Sequence, residues 1–137
     1  MTLSRTSNSG RAAVADYSRF LGRPYEPPLG CLRLAEAVYR EQYGIDFGRL
    51  GEELDRGDGL ALMKLLRDHA DKVEAPQEGD LILLAGHPWH IGVVIGPGEM
   101  VHSYEGGAAC IERYDGMLWS ARMRGFWRVR PMRSVRT

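Results

Sequence analysis

The sequence predicts an α+β fold, with N-terminal helices packed on a C-terminal antiparallel β-sheet. Helical spacing of apolar residues is confined to the part of the chain before Pro76. After Pro76, short β-rich segments alternate with glycine turns. Helices that precede strands, instead of alternating with them, indicate α+β. The length of 137 residues suits one domain with its own core. We expect a flexible arm over residues 1–10 and a single domain over residues 11–137.

Three helices are predicted before Pro76. Residues 11–21 form a short one, which ends where Gly22 and the prolines that follow break the helical pattern. The next helix runs from about Cys31 to Tyr43, and Gly44 followed by apolar Ile45 fits a Schellman-type ending. Its apolar face holds Leu34, Ala35, Val38 and Tyr39. A further helix follows Asp58, a possible N-cap, and places Leu62, Leu65, Leu66 and His69 on one face.

Five strands are predicted after Pro76. They follow from short runs of β-branched and other apolar residues between turn signals, at residues 80–84, 90–95, 99–104, 108–113 and 125–130. Residues 115–122 are expected to form a helical turn. The sequence contains no repeat and no internal linker, so these strands should form one meandering sheet.

Charge and composition exclude few functions. Eighteen basic residues balance eighteen acidic ones, so net charge favours neither nucleic acid nor a membrane as partner. No secretory leader and no apolar run of transmembrane length is evident. We therefore expect synthesis in a cytoplasm, where both cysteines stay reduced. Residues 118–137 hold six arginines and no acid; an anionic partner would suit them, but a solvated strand face is the simpler interpretation.

Cys31 is a chemically sensible nucleophile. A cysteine attacks carbonyl groups as thiolate, and a helix N-terminus together with a cationic imidazole lowers a thiol pKa. Cys31 is predicted to start a helix, where neighbouring backbone N–H groups can bind an oxyanion, and Gly30 allows a close turn before it. Cys110 lies among alanines and Ile111 with no helix start nearby, so we interpret it as a packing residue. A lone cysteine is also commonly a small buried hydrophobe, which remains the alternative for Cys31.

Two of the four histidines are candidates for the general base. His90 begins a predicted strand, and His102 ends the strand paired with it. His69 fits a packed helix face, and His87 lies in a Gly-His-Pro turn. A zinc site made of His87, His90 and His102 is a further alternative, but Pro88 rules out the helical spacing that His87 and His90 would need.

The hairpin loop decides whether His90 and His102 share a face of the sheet. Side chains alternate along a strand, and loop length sets the register. A two-residue loop of Pro97 and Gly98 would pair Val93 with His102 and place the histidines on opposite faces. A three-residue loop that includes Gly96 would pair Gly92 with His102 and place them on the same face. Only the second register serves catalysis.

Residues 90–102 (HIGVVIGPGEMVH) resemble the second half of the NlpC/P60 family signature, in which a strand opens on a histidine followed by an apolar residue and glycine, and the next strand ends in an apolar residue and histidine. Residues 78–81 (EGDL) resemble the strand entry upstream, and Cys31 with the helix to Ile45 resembles the nucleophile helix. Residues 21–25 (LGRPY) resemble the segment before that helix. The resemblance spans about residues 11–130.

The resemblance implies a papain-like fold and amide hydrolysis through a thioester, usually in peptidoglycan stem peptides. It assigns Cys31 as nucleophile, His90 as general base and acid, and His102 as the group that orients His90. Tyr25, Gly30 and Trp89 would contact substrate. It implies no cofactor and no metal, and its partners are peptidoglycan peptides rather than nucleic acid or a membrane.

Two features of the sequence narrow the function expected within this family. The family usually has Asp-Cys-Ser-Gly at the nucleophile, whereas this chain has Gly30, Cys31, Leu32 and Arg33. Residues 86–90 (GHPWH) and the pairs Leu118-Trp119 and Gly125-Phe126 resemble compact domains of phage tail-tip assembly proteins. We therefore expect a peptidase of the virion tail, in contact with other tail-tip proteins. The alternatives are a structural tail-tip subunit that has lost the chemistry and a signal-less secreted effector amidase.

Overall fold

The computed structural model describes residues 16–50 and 59–132. Helix α1 spans Gly30–Val38 and continues into a wider π-helical turn at Tyr39–Tyr43, and helix α2 spans Gly59–His69. Short 3₁₀ turns lie at Ser18–Phe20 and Ser120–Arg122. The strands are β1 Ala70–Val73, β2 Leu81–Leu84, β3 His90–Gly96, β4 Glu99–His102, β5 Cys110–Arg113 and β6 Met123–Val129. None of the helices within these residues is long and apolar enough to cross a bilayer.

The six strands form one antiparallel sheet in the order β1-β6-β2-β3-β4-β5. The helices cover one face of it, and every residue of α1 is buried there. Strand β2 is buried on both sides because the side chains on its two faces pack into two different apolar clusters. The larger cluster lies between the helices and the sheet. The smaller one, on the opposite face, contains Ile82, Leu84, Val94, Met100, Tyr114 and Trp119.

The predicted nucleophile helix is confirmed, and it stops at Gly44 as expected. Gly44 adopts the left-handed conformation at φ 70°, which glycine reaches without steric cost. The Ile45 N–H donates to the Tyr39 carbonyl oxygen at 3.0 Å, whereas a Schellman motif would use the Arg40 carbonyl oxygen. The wider π-helical last turn accounts for the difference of one residue. Of the helix predicted over residues 11–21, residues 11–15 lie outside the described part of the chain, and residues 18–20 form only a 3₁₀ turn. The arm over residues 1–10 and the N-cap Asp58 also lie outside it.

Sequence patterning missed one strand and misplaced several ends. The missed strand is β1, which follows α2 directly and pairs with β6. Its polar residues Asp71 and Lys72 give it no apolar strand pattern in the sequence. Strand β4 ends at His102 rather than at residue 104, β5 begins at Cys110 rather than at residue 108, and β6 begins two residues early, at Met123. Strand ends depend on cross-strand partners, which local patterning does not reveal.

The hairpin has the register that places both histidines on one face. Gly96 pairs with Glu99, so the loop itself is the two-residue Pro97-Gly98 turn. An irregularity between Val94 and Gly96 then shifts the register, and Val93 pairs with Val101. Continued along β3, this register sets Gly92 opposite His102. The bulge therefore supplies the extra residue that we had expected from a three-residue loop.

The arginines near the C-terminus form internal contacts. Arg128 forms an ion pair with Asp80, which is fully buried, at 2.9 Å. Arg130 donates to the carbonyl oxygens of Arg67 and Asp68 at the end of α2, at 3.0 and 2.9 Å. The interpretation of this segment as a solvated strand face is therefore wrong for Arg128, whose side chain is only 13% exposed, but it fits Arg130, whose side chain is 51% exposed. Both side chains also hold β6 to its neighbours, the strand-entry loop and α2. Arg133 and Arg136 lie outside the described residues.

Candidate active site

Cys31 lies in the first turn of α1, as predicted, and its side chain is 3% exposed. Gly30 is required immediately before it, because a Cβ there would meet the Tyr25 ring at 2.5 Å. The N–H groups of Leu32 and Arg33 both donate to the Leu29 carbonyl oxygen at 3.0 Å. The expectation of several free N–H groups is therefore wrong for these two, and the amide of Cys31 itself is the oxyanion donor that this helix start offers.

The surroundings of Cys31 do not activate its thiol. Burial raises its pKa, against the opposing effect of hydrogen bonds from the backbone N–H groups of Ile91, Leu32 and Cys31. We had expected the helix N-terminus to lower this pKa, but desolvation of the thiolate outweighs the helix. The hydrogen bond from Ile91 also fixes the geometry, since it places the sulfur beside the first residues of β3, where His90 lies.

His90 and His102 are directly hydrogen-bonded across the hairpin. The His90 Nε2 lies 2.7 Å from the His102 Nδ1, and the side chains are 5% and 0% exposed. The interaction uses Nε2 of His90 and leaves its Nδ1 as the nitrogen available to the thiol. This is the orientation that a base held by a third group needs.

Both imidazoles are neutral at pH 7. Burial, followed by the neighbouring His102 and Arg122, lowers the pKa of His90 to about 3. Burial also lowers the pKa of His102, although Glu112 opposes this. The resting site therefore contains a neutral thiol and a neutral imidazole. Transfer of the proton from Cys31 to His90 would create two opposite charges at one cleft, and their mutual attraction would offset part of the desolvation cost.

Glu112 and Trp119, which the sequence analysis did not identify as site residues, extend the hydrogen-bonded pair of His90 and His102. The Glu112 Oε1 lies 2.7 Å from the His102 Nε2. Trp119 donates from Nε1 to the same Oε1 at 3.1 Å and stacks on the His90 ring, with centroids 5.6 Å apart. Glu112 shares the half-buried face of β5 with Cys110, but a single acidic residue in a short strand gives no signal in the sequence. Trp119 lies in a turn and carried no periodic signal.

A cleft of about 480 Å³ gives access to this site. Cys31 and His90 both line it, as do the expected substrate contacts Tyr25 and Trp89. Gly30 does not line it and instead lies beneath the Tyr25 ring. The other lining residues are Leu29, His87, Pro88, Tyr104, Glu105, Leu118, Trp119 and Arg122. Arg122 is a further residue that the sequence did not single out, and its guanidinium lies 4.4 Å from the Trp119 ring centroid.

Cys110 is not the simple packing residue that we expected. Its Sγ lies 3.7 Å from the His102 Nε2 and 3.9 Å from the Glu112 Oε1. Within the described residues, these three side chains are the group that brings potential metal ligands within 4.8 Å of one another. His87 is not part of it and lies on the exposed cleft rim, so the alternative zinc site of His87, His90 and His102 is not formed. His69 is half-buried against Phe47, as its place on α2 suggested.

Comparison with known proteins agrees with the fold. A sequence model described as NlpC/P60 family matches residues 21–128, a range that includes Cys31, His90 and His102. No curated protein matches the chain.

Two solved structures show the same fold. One is a Bacillus cereus protein described as a NlpC/P60 family protein, with a TM-score of 0.58 and 21% identity over 82% of this chain. The other is a Staphylococcus aureus protein described as similar to a lipoprotein of the NLP/P60 family, with a TM-score of 0.54 and 19% identity over 81% of this chain. The chain spans only 37% and 38% of those proteins. The predicted α+β, papain-like architecture is thereby confirmed.

Proposed function

The chain belongs to the NlpC/P60 family, a family of cysteine hydrolases, and we propose that it is a cysteine peptidase or amidase that cleaves amide bonds in peptidoglycan stem peptides. One observation carries the proposal. The hydrogen-bonded pair of His90 and His102 lies at a cleft that Cys31 also lines, and Nδ1 of His90 remains available as base. A packing role for Cys31 would not require this arrangement.

The reaction follows from these positions. As the Cys31 sulfur attacks the substrate carbonyl carbon, its proton passes to the His90 Nδ1. The carbonyl oxygen becomes an oxyanion that the Cys31 amide stabilises. His90 then returns the proton to the leaving nitrogen as the C–N bond breaks, which leaves a thioester on Cys31. A water molecule, deprotonated by His90, attacks the thioester and releases a carboxylic acid and the free thiol.

The cleft supports a peptide substrate that carries both signs of charge. Glu105 and Arg122 line it together with the aromatic rings of Tyr25, Trp89 and Tyr104. Stem peptides present carboxylates and amines on a short chain, which such a mixture can hold. Gly30 replaces the aspartate that usually precedes the nucleophile, so an amine of the substrate must find another partner, and Glu105 is the acidic group of the cleft that can serve.

The proposal is tested on purified peptidoglycan. The wild-type protein should release soluble peptides, and Cys31→Ala should abolish release, since removal of a nucleophile costs at least about a thousandfold in rate. Cys110→Ser is the matched control and should retain most activity, because Cys110 does not line the cleft. His102→Ala should reduce activity without abolishing it.

Either of two results would contradict the proposal. Cys31→Ala could release soluble peptides as fast as the wild type, which would show that the thiol takes no part in the reaction. The wild type could also leave both peptidoglycan and synthetic stem peptides intact, which would favour a structural subunit that kept the fold without the reaction.

We further propose the tail tip of a phage as the setting, with other tail proteins as partners. The support is the resemblance of residues 86–90 and of the Leu118-Trp119 pair to compact tail-tip domains. His87, Trp89, Leu118 and Trp119 all line the cleft, so these segments belong to the site and not to a remote surface. Mass spectrometry of phage particles purified from the source strain should detect the protein, and its absence from intact particles would exclude this setting.

A further inference from the structure

We propose that Glu112 is a positioning residue that determines, through His102, which ring nitrogen of His90 carries the proton. The inference rests on the proposed function, because it concerns the base that activates Cys31. Glu112 does not line the cleft, so it influences His90 through the side chains between them, and His102 is the one that bonds to both.

Both ring nitrogens of His102 take part in hydrogen bonds. Its Nδ1 faces the His90 Nε2 at 2.7 Å, and its Nε2 faces the Glu112 Oε1 at 2.7 Å. A carboxylate only accepts hydrogen bonds, so the His102 Nε2 must carry a proton. The side chain of His102 is 0% exposed, and no water can compete for either nitrogen at its surface.

The proton positions then follow along the chain of rings. A neutral His102 with its proton on Nε2 has an unprotonated Nδ1, which can only accept. The His90 Nε2 must therefore donate, and a neutral His90 is left with a lone pair on Nδ1. That nitrogen can take the thiol proton. The lowered pKa of His102 is consistent with this neutral form.

Without Glu112 the chain of hydrogen bonds can reverse. A His102 protonated on Nδ1 would donate to the His90 Nε2, and His90 would then carry its proton on Nδ1. In that state His90 presents an N–H to Cys31 and cannot act as its base. Glu112 therefore selects one of two hydrogen-bonded states that are otherwise similar in geometry.

Trp119 holds the carboxylate in place. Its Nε1 donates to the same Oε1 at 3.1 Å, and its ring lies against both His90 and His102, with centroids 5.6 and 5.0 Å apart. Only 32% of the Glu112 side chain is exposed. A surface glutamate that served only solubility would need neither an indole donor nor a buried imidazole partner.

The test reads the proton positions directly by ¹⁵N NMR of histidine-labelled protein at pH 7. In the wild type, His90 and His102 should both be protonated on Nε2. Glu112→Ala removes the acceptor, and a substantial share of His90 should then carry its proton on Nδ1. Glu112→Gln keeps an acceptor oxygen and should restore the wild-type pattern. Cys110→Ser, a change at the other side chain that contacts the His102 Nε2, should leave it unaltered.

Kinetics supply a second readout. Glu112→Ala should lower kcat about tenfold to a hundredfold with little change in KM, because Glu112 does not touch substrate. A wild type with the His90 proton on Nδ1 would overturn the proposal even if no variant folded, as would an unchanged pattern in Glu112→Ala. These spectra need no substrate, so the expected pattern in a protein inactive on peptidoglycan would count against the proposed function alone.

Discussion

Cys31 and His90 occupy positions where burial opposes either charge. Desolvation raises the pKa of the thiol and lowers that of the imidazole to about 3. The helix N-terminus, from which the sequence suggested an activated thiol, acts in the opposite direction but is the weaker effect. The Cys31 thiol is therefore activated only during attack, when its proton moves to His90.

The first prediction concerns the pH dependence of Cys31 alkylation. A raised thiol pKa keeps the thiolate fraction small below the usual cysteine range of about 8.5, so the rate should rise with a midpoint above that of the unfolded chain. The measurement uses iodoacetamide on Cys110→Ser protein, in which Cys31 is the only thiol, with the same protein in urea as reference. A rate plateau at mildly acidic pH would instead reveal a stable thiolate–imidazolium pair.

At the scale of elements, the β3–β4 hairpin assembles the site. The sequence located both strands and both histidines, because runs of β-branched and other apolar residues and a Gly-Pro-Gly turn are local signals. It left two registers open, because a bulge depends on the pairing of the whole hairpin. Glu112 and Trp119 escaped notice for a related reason. Their role arises only when β5 and the following turn meet β4, a contact that no local pattern reports.

Gly92→Ala tests the packing that holds this register. An added Cβ would lie 2.9 Å from the Met100 Sδ, 3.2 Å from the Ile82 Cγ2 and 3.4 Å from the His102 Cβ. Overpacking of this kind costs about 1–3 kcal/mol of unfolding free energy, and it should also displace His102 and lower activity. Urea denaturation measures the first effect and peptidoglycan release the second.

Gly96→Ala is the matched control, because a Cβ at this position of the same strand meets nothing within 4 Å. Its unfolding free energy should change by no more than about 0.5 kcal/mol. Equal losses in the two variants would show that the contact with Met100 and His102 is not what limits position 92.

At the scale of the whole molecule, the catalytic groups are part of the core. Strands β3 and β4 lie in the interior of the sheet, α1 packs across them, and all three site residues are buried. The ion pair of Asp80 and Arg128 joins the entry of β2 to β6 and so closes the sheet beside the hairpin. A domain built in this way cannot hold His90 in its base position without keeping it out of water, so catalysis and acid stability are linked.

The last prediction follows from that link. His90 has a pKa of about 3 in the folded chain and about 6.5 when unfolded, so between these values the unfolded state binds the extra proton. The free energy of unfolding should therefore be fully present above about pH 6.5 and fall as pH drops toward 3, by about 2–3 kcal/mol from this residue between pH 7 and 4.5. Urea denaturation at both pH values measures the loss. The glutamine in His90→Gln does not titrate in this range. The unfolding free energy of this variant should therefore fall by about 2–3 kcal/mol less than that of the wild type, and the remaining fall comes from carboxylates and His102. Parallel losses in the two proteins would mean that His90 is protonated as readily in the folded chain as in the unfolded one.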